Sequence, residues 1–486
     1  MASSNCWKCL ARPVANQFPP TLAVRLANPF STTAVLAAGP PAKTAKMVAG
    51  KGKGAKTLRI KKKAFVKTGK PPAAGERKAM RKRIVLSNTN ALEVGDLRDL
   101  SGTVVDELIQ EQSETGPEKE VLEAVSVKDD KNELVGKVVG LSGLTVDSLR
   151  AVEAFKTTQG WGLFRRPAVL VREESAIIAR RMLDAAEERK TIRIVLEGEK
   201  GTGKSLMMLS AMATAFVKGW VVFNIPEAQE VTNAMTDYAA VPGTQPTLWS
   251  QNTYIANWLS QIGKANNYIL SKINLSKDLT VPITVSAGTS LFRLCELGAR
   301  DPDISWPIFQ ALWKELTTPE KPPILMCLDS LSFAMQNSLY RAPDFAPIHA
   351  HDLVVIRHFV DHLSGAAKLP NGGAVFAATN RSHAPVSKSL NLAVKQAEDR
   401  QAGNAVTPRD PYEKAYDARA DEVLASIEVL RLKGLSRKEA RGLMEYWAKS
   451  GVLRCKVDEE TVAEKWALAG NGVVGEIQRA ALWMRV

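Results

Sequence analysis

Eight residues, Gly198-Glu199-Lys200-Gly201-Thr202-Gly203-Lys204-Ser205, restrict the fold of this 486-residue chain more than any other stretch. They spell G-x-x-x-x-G-K-S, follow the β-branched apolar run Ile192 to Glu197, and open a run of helix formers from about Lys204 to Lys218. Strand, glycine-rich turn and helix in that order build a loop whose backbone N–H groups converge on a phosphate. A second apolar run, Trp220 to Ile225, follows the helix. Strand, crossover helix and strand are the unit of a parallel sheet. Ile324 to Leu328 and Ala374 to Ala378, the latter reached through Asn371-Gly372-Gly373, read as two more buried strands. The predicted fold class is α/β, a parallel sheet with helices on both faces.

The same motif predicts a nucleotide site made of Gly198, Glu199, Lys200, Gly201, Thr202, Gly203, Lys204, Ser205 and Leu206. In such a loop the lysine reaches the β and γ oxygens and the hydroxyl ligates magnesium. Magnesium also needs a carboxylate, and Asp329 at the end of the Ile324 run supplies it, so Ser205 and Asp329 are the predicted metal residues. ATPases of the AAA type usually carry a glutamate next, to activate the attacking water, and here the residue is Ser330. Without a placed base the barrier to hydrolysis stays high even when the phosphates are well held. Glu199 and Glu227 are the substitutes on offer, and each reads equally as a surface acid. The expectation is a nucleotide holder with little or no NTPase activity, not an enzyme. Asn380, with Thr379, ends the Ala374 strand, where it either senses the γ-phosphate or caps the next turn. No Asn-Lys-x-Asp motif reads guanine, so these residues do not choose between ATP and GTP.

Charge is distributed unevenly. The first 75 residues hold no Asp or Glu and fourteen Lys and Arg, which leaves 51 basic against 51 acidic residues in the rest of the chain. Residues 1–42 read as a mitochondrial transit peptide, acid-free and rich in Ala, Ser and Thr. Residues 43–86, with Lys61-Lys62-Lys63 and a second run from Arg77 to Arg83, read as a disordered cationic arm suited to RNA phosphates. Residues 87–157, acidic between Glu107 and Glu133, read as a surface extension with a few short helices. The nucleotide-binding domain is expected over 158–410, led by an amphipathic helix from Ser175 to Arg189. Residues 411–486 read as a helical lid-like domain, whose clearest helix has the capping box Ser436 to Glu439 and stops at Gly451. No stretch approaches the roughly 20 apolar residues of a membrane span.

Other residue types yield less. Five cysteines do not make a disulfide framework, which suits a reducing compartment, and Cys295, Cys327 and Cys455 read as small buried thiols. All five histidines fall between His349 and His383, at spacings a metal could use, but read as packing and helix-surface residues. Trp249, Trp258, Trp306 and Trp313 sit in helical patterns and read as core.

With these residues in place the chain resembles the mitochondrial small-subunit ribosomal proteins also known as death-associated protein three. The resemblance rests on the loop itself, Ile225-Pro226-Glu227-Ala228, the Gln245-Pro246 turn leading to Trp258-Leu259, the Asp329 strand, the Gly372-Gly373 strand start, and Tyr446-Trp447 before Gly451-Val452-Leu453. It covers roughly residues 160 to 486; residues 1–150 do not align with the animal members, and Ser205 stands where those often carry threonine. The resemblance implies an AAA-like P-loop NTPase fold and a guanine nucleotide, GTP or GDP, with Mg2+. It also implies a place in the head of the mitochondrial ribosome small subunit, near the interface with the large subunit. Partners implied are the small-subunit rRNA, neighbouring mitoribosomal proteins and the large subunit, all in the mitochondrial matrix. The family is also associated with apoptosis, which these residues do not show. The other class consistent with the motif is a free matrix NTPase of AAA or signalling type, which Ser330 and the cationic arm disfavour.

Overall fold

The structure, a computed structural model, describes residues 84–114, 134–280, 283–382, 384–414 and 416–482. The chain divides into two units, Met1–Ala79 and Met80–Val486, and every described residue lies in the second. The expected leader, the cationic arm up to residue 83, the acidic stretch 115–133 and His383 lie outside the described residues.

Five strands form the central sheet: β1 (Thr191–Glu197), β2 (Val221–Ile225), β3 (Ile324–Asp329), β4 (Gly373–Ala378) and β5 (Glu428–Arg431). Their spatial order is β5-β1-β4-β3-β2, and every pairing is parallel. The register levels the carboxyl ends, because Ala378 pairs with Leu196 on one side and Asp329 on the other. Strands β2, β3 and β4 are buried throughout, as expected of a sheet covered on both faces.

Alternation along each strand sorts the apolar side chains into two layers. Val195, Val221, Phe223, Met326 and Val375 face one layer, packed by α5 (Asn252–Ala265), α6 (Leu291–Arg300), α7 (Ser305–Leu316), α8 (Val354–Ser364) and α9 (Lys388–Gln401). Phe223 there meets Trp258, Phe309 and Trp313 at ring-centroid distances of 6.0, 6.2 and 5.2 Å, which places Trp258 in the core and the half-buried Trp313 against it. Ile194, Leu196, Val222, Cys327 and Phe376 face the other layer, formed by α1 (Gly102–Glu114), α2 (Gly143–Ala151), α3 (Glu173–Glu187) and α4 (Lys204–Val217).

Two findings differ from the sequence reading. Val104, Val105, Leu108, Val146 and Leu149 belong to the apolar cluster of that second face, so α1 and α2 are part of a covering layer and not a surface extension. The segment read as wholly helical also contributes β5, whose four residues are too few to show period-two alternation. Beyond β5 the chain is helical, with α10 (Arg437–Lys449), α11 (Glu459–Leu468) and α12 (Val474–Leu482) around a small core of Leu435, Met444, Trp447 and Ile477. Val138 and Leu170, from the antiparallel ribbon Val138–Gly140 with Ala168–Leu170, pack against that core. No helix of the described residues is long and apolar enough to cross a membrane.

Candidate nucleotide site

The glycine-rich loop joins β1 to α4 at the carboxyl edge of the sheet. Gly198 sits at φ 153°, and a Cβ there would stand 2.7 Å from the Leu432 carbonyl oxygen, so only glycine lets the loop leave the sheet beneath the residue after β5. Gly203 turns the chain into α4 at φ 96°. The first turn of α4 leaves backbone N–H groups without helical partners, and the helix dipole makes that end attractive to anions. Lys204 folds back over the loop, and its ammonium donates to the carbonyl oxygens of Gly198 at 2.6 Å and Glu199 at 2.8 Å. Burial pushes this ammonium below the ordinary lysine range, against the pull of Glu197.

The predicted residues converge. The Ser205 hydroxyl donates to Asp329 Oδ2 at 2.6 Å, across the sheet from α4 to the end of β3. Asp329 Oδ1 accepts from the backbone N–H of Ser330 at 2.7 Å, and the ammonium of Lys156 is paired with Oδ2. Asn380 donates through Nδ2 to the Ser330 hydroxyl at 3.0 Å, which sets it beside the Asp329 turn. Thr379 continues the ladder instead, its N–H donating to the Leu196 carbonyl at 3.0 Å. Glu199 and Lys200 are exposed, Leu206 is half-buried, and Glu227 lines the cleft. Lys204, Ser205, Asp329 and Asn380 open onto one cleft of about 1600 Å3, larger than the roughly 300–1,000 Å3 usual for small-molecule sites.

Three further residues shape the cleft without any local motif. Glu197 ends β1 only 1% exposed, and its carboxylate accepts from Arg381 Nε at 2.7 Å. Arg172 donates to the carbonyls of Thr202 at 2.9 Å and Lys433 at 3.1 Å, tying the loop to the chain after β5. Lys156 reaches Asp329 from the turn after α2. All three are single charged residues at contacts long in sequence; burial marks Glu197 and Arg172, and only its distant partner marks Lys156, neither of which a sequence displays. The roof comes from α12, where the Gly475 N–H donates to the Gly201 carbonyl at 2.9 Å.

The remaining candidates disperse. Cys295 and Cys327 are buried, and burial pushes the Cys295 thiol up to about 12, out of range of thiolate chemistry. Cys455 is exposed, contrary to the sequence reading, because it lies in the turn between α10 and α11 and not in an apolar face. His349, His351 and His362 are buried; His349 Nε2 shares a 2.8 Å hydrogen bond with Asp417, and His358 packs edge-on against Trp313. No group of three or more His, Cys, Asp or Glu able to hold a metal occurs among the described residues.

Residues 169–480 match the protein family described as mitochondrial ribosomal death-associated protein 3. Over 491 aligned residues the chain is 44% identical to the small ribosomal subunit protein mS29 of Neurospora crassa, with 99% of each chain covered.

Proposed function

Because the chain belongs to the mitochondrial ribosomal death-associated protein 3 family, we propose that it is a structural component of the small subunit of the mitochondrial ribosome. Its place is the mitochondrial matrix, in the subunit head near the large-subunit interface, where it supports mitochondrial translation. Its partners are the small-subunit rRNA, the neighbouring mitoribosomal proteins and the large subunit. The full-length likeness to a ribosomal protein carries this reading, since it includes the N-terminal 150 residues that hold the cationic arm. Eleven Lys and Arg without an acid between residues 43 and 75 are suited to neutralising phosphates and releasing their counterions.

The cleft adds a nucleotide to this role, in a P-loop fold of AAA-like type. A Cβ would fill the loop at Gly198, Lys204 stands over it, and the Ser205 hydroxyl and Asp329 carboxylate meet at one point. That donor set fits a polyphosphate and a magnesium ion held by Ser205 and Asp329. When bound, the ion would neutralise phosphate charge. GTP or GDP is the expected nucleotide, with ATP the competitor. Position 330 carries a serine whose hydroxyl already accepts from Asn380, so no carboxylate is placed there to take a proton from water. The site thus holds its nucleotide with little or no turnover, as a fixture of the assembly.

The experiment is a magnesium-containing sucrose gradient of mitochondrial lysate, with the protein followed by mass spectrometry. Co-migration with the small subunit and the monosome is expected; a peak confined to the top of the gradient would favour a free matrix NTPase.

A further inference from the structure

Asp329 has little carboxylate surface left. Oδ1 accepts from Ser330 N–H, Oδ2 from the Ser205 hydroxyl, and the Lys156 ammonium pairs with the same Oδ2. Lys156 comes from outside the strand, loop and helix that make the phosphate cradle, and its position is fixed at the root. Its own N–H donates to Gln159 Oε1 at 2.9 Å, and that oxygen also accepts from Trp161 Nε1 at 2.6 Å. Phe155 and Trp161 are buried and meet edge to face at 5.0 Å, so both neighbours of the lysine turn are anchored in the core. With 26% of its side chain exposed, Lys156 lines the same cleft as Lys204 and is placed by packing.

An ammonium carries three donors, and the pairing with Asp329 uses one. The others are available to oxygen atoms arriving beside Ser205. Position and charge are those asked of a divalent ion at this point: a cation between hydroxyl, carboxylate and phosphate. Two lysines on one phosphate cradle also give a field that bulk salt screens poorly inside a cleft.

We propose that Lys156 is a built-in cation of the phosphate site, standing against Asp329 and meeting the phosphate oxygens of the nucleotide beside Ser205 with or without magnesium, so that nucleotide is retained when divalent cation is removed. The proposal rests on the nucleotide reading above and assigns a phosphate-contacting role to a residue of the turn after α2.

The test uses the full chain and isothermal titration with GTP, and with ATP in parallel, in excess magnesium and in excess EDTA. For the wild type the two dissociation constants should agree within about threefold, whereas Lys156→Met should raise the EDTA-to-magnesium ratio by roughly tenfold or more, the worth of a charge-assisted contact. Lys156→Arg, which keeps the cation, should return the ratio towards the wild type. Melting curves of each variant are read alongside: a lysine that only bridges Asp329 lowers the melting temperature and leaves the ratio unmoved, which overturns the proposal. It is equally overturned if wild-type binding collapses on chelation as far as the variant's. Absence of wild-type binding in both buffers would remove the nucleotide reading itself, while failure confined to EDTA removes only the role of Lys156.

Discussion

Ser330 lies in the left-handed region, at φ 65° and ψ 46°, a conformation that costs a non-glycine residue about 1–2 kcal/mol. In that conformation its N–H donates to Asp329 Oδ1, leaving Oδ2 for Ser205 and Lys156, so the strained residue coincides with the orientation of the acid. Asp329 was legible in the sequence because an acid after an apolar run has one favoured place near a phosphate loop; Lys156 was not, since nothing local marks a turn lysine whose partner is 173 residues away. The same contrast holds for His351. Its spacing from His349 read as that of packing or helix-surface histidines, and burial first, then the nearby His349 and Arg419, push its pKa down to about 3 from an ordinary 6.5. The folded state therefore keeps this ring neutral while the unfolded chain protonates it, and stability that is complete above pH 6.5 is lost as pH falls toward 3. The loss is at most about 1.4 kcal/mol per pH unit for one such group. We expect the melting temperature to drop between pH 7 and pH 5, and to drop less in His351→Gln; equal drops in the two proteins would remove His351 as a source of the acid sensitivity.

Among elements, α10 shows how far a local signature reaches. Ser436 and Glu439 form the capping box that S-x-x-E predicts, with the Glu439 N–H donating to the serine hydroxyl at 3.2 Å and the Ser436 N–H to Glu439 Oε2 at 2.8 Å. The sequence did not disclose that Glu439 Oε1 accepts from the N–H of Glu173, at 3.0 Å, so that one carboxylate satisfies the starts of both α10 and α3. Glu439→Ala takes the acceptor from two half-buried helix-start donors, at about 0.5–1.5 kcal/mol for each lost hydrogen bond. Denaturant unfolding should register that loss, and Glu439→Gln, which keeps one acceptor oxygen, should lose less. A variant as stable as the wild type would show that water replaces the carboxylate. Packing was harder to read: β5 is only four residues long, and the short helices expected over 87–157 include α1 and α2, whose place in a covering layer shows only once they are set against α3, α4 and α5. The four longer strands, mostly apolar and bounded by turn residues, were readable because burial on both faces of most of their length leaves little room for polar alternation.

For the whole molecule, the parallel sheet gathers the loop after β1 and the ends of β3 and β4 on one edge, while α12 closes over the loop from the far end of the chain. A nucleotide seated there binds only the folded chain and should stabilise it by about 2.7 kcal/mol at a hundredfold excess over its dissociation constant. Differential scanning calorimetry with and without GTP should show the rise in melting temperature, and Lys204→Ala should abolish most of it; a rise that survives in that variant would place the nucleotide elsewhere. The C-terminal helices carry one more consequence. Helix α10 lies so close to the segment before Val138 that a Cβ on Gly442 would stand 1.8 Å from the Gly136 carbonyl oxygen. Two stretches some three hundred residues apart thus share one seam, and the arginine that clasps the loop, Arg172, takes its second carbonyl from Lys433. As the chain emerges amino end first, the sheet strands up to β4 can find one another early, but the seam, the roof of the cleft and the last clasp on the loop all wait for Lys433 and the residues beyond it. Completion of the cleft is therefore a late step, and a chain cut short of α10 holds a sheet without a finished cradle.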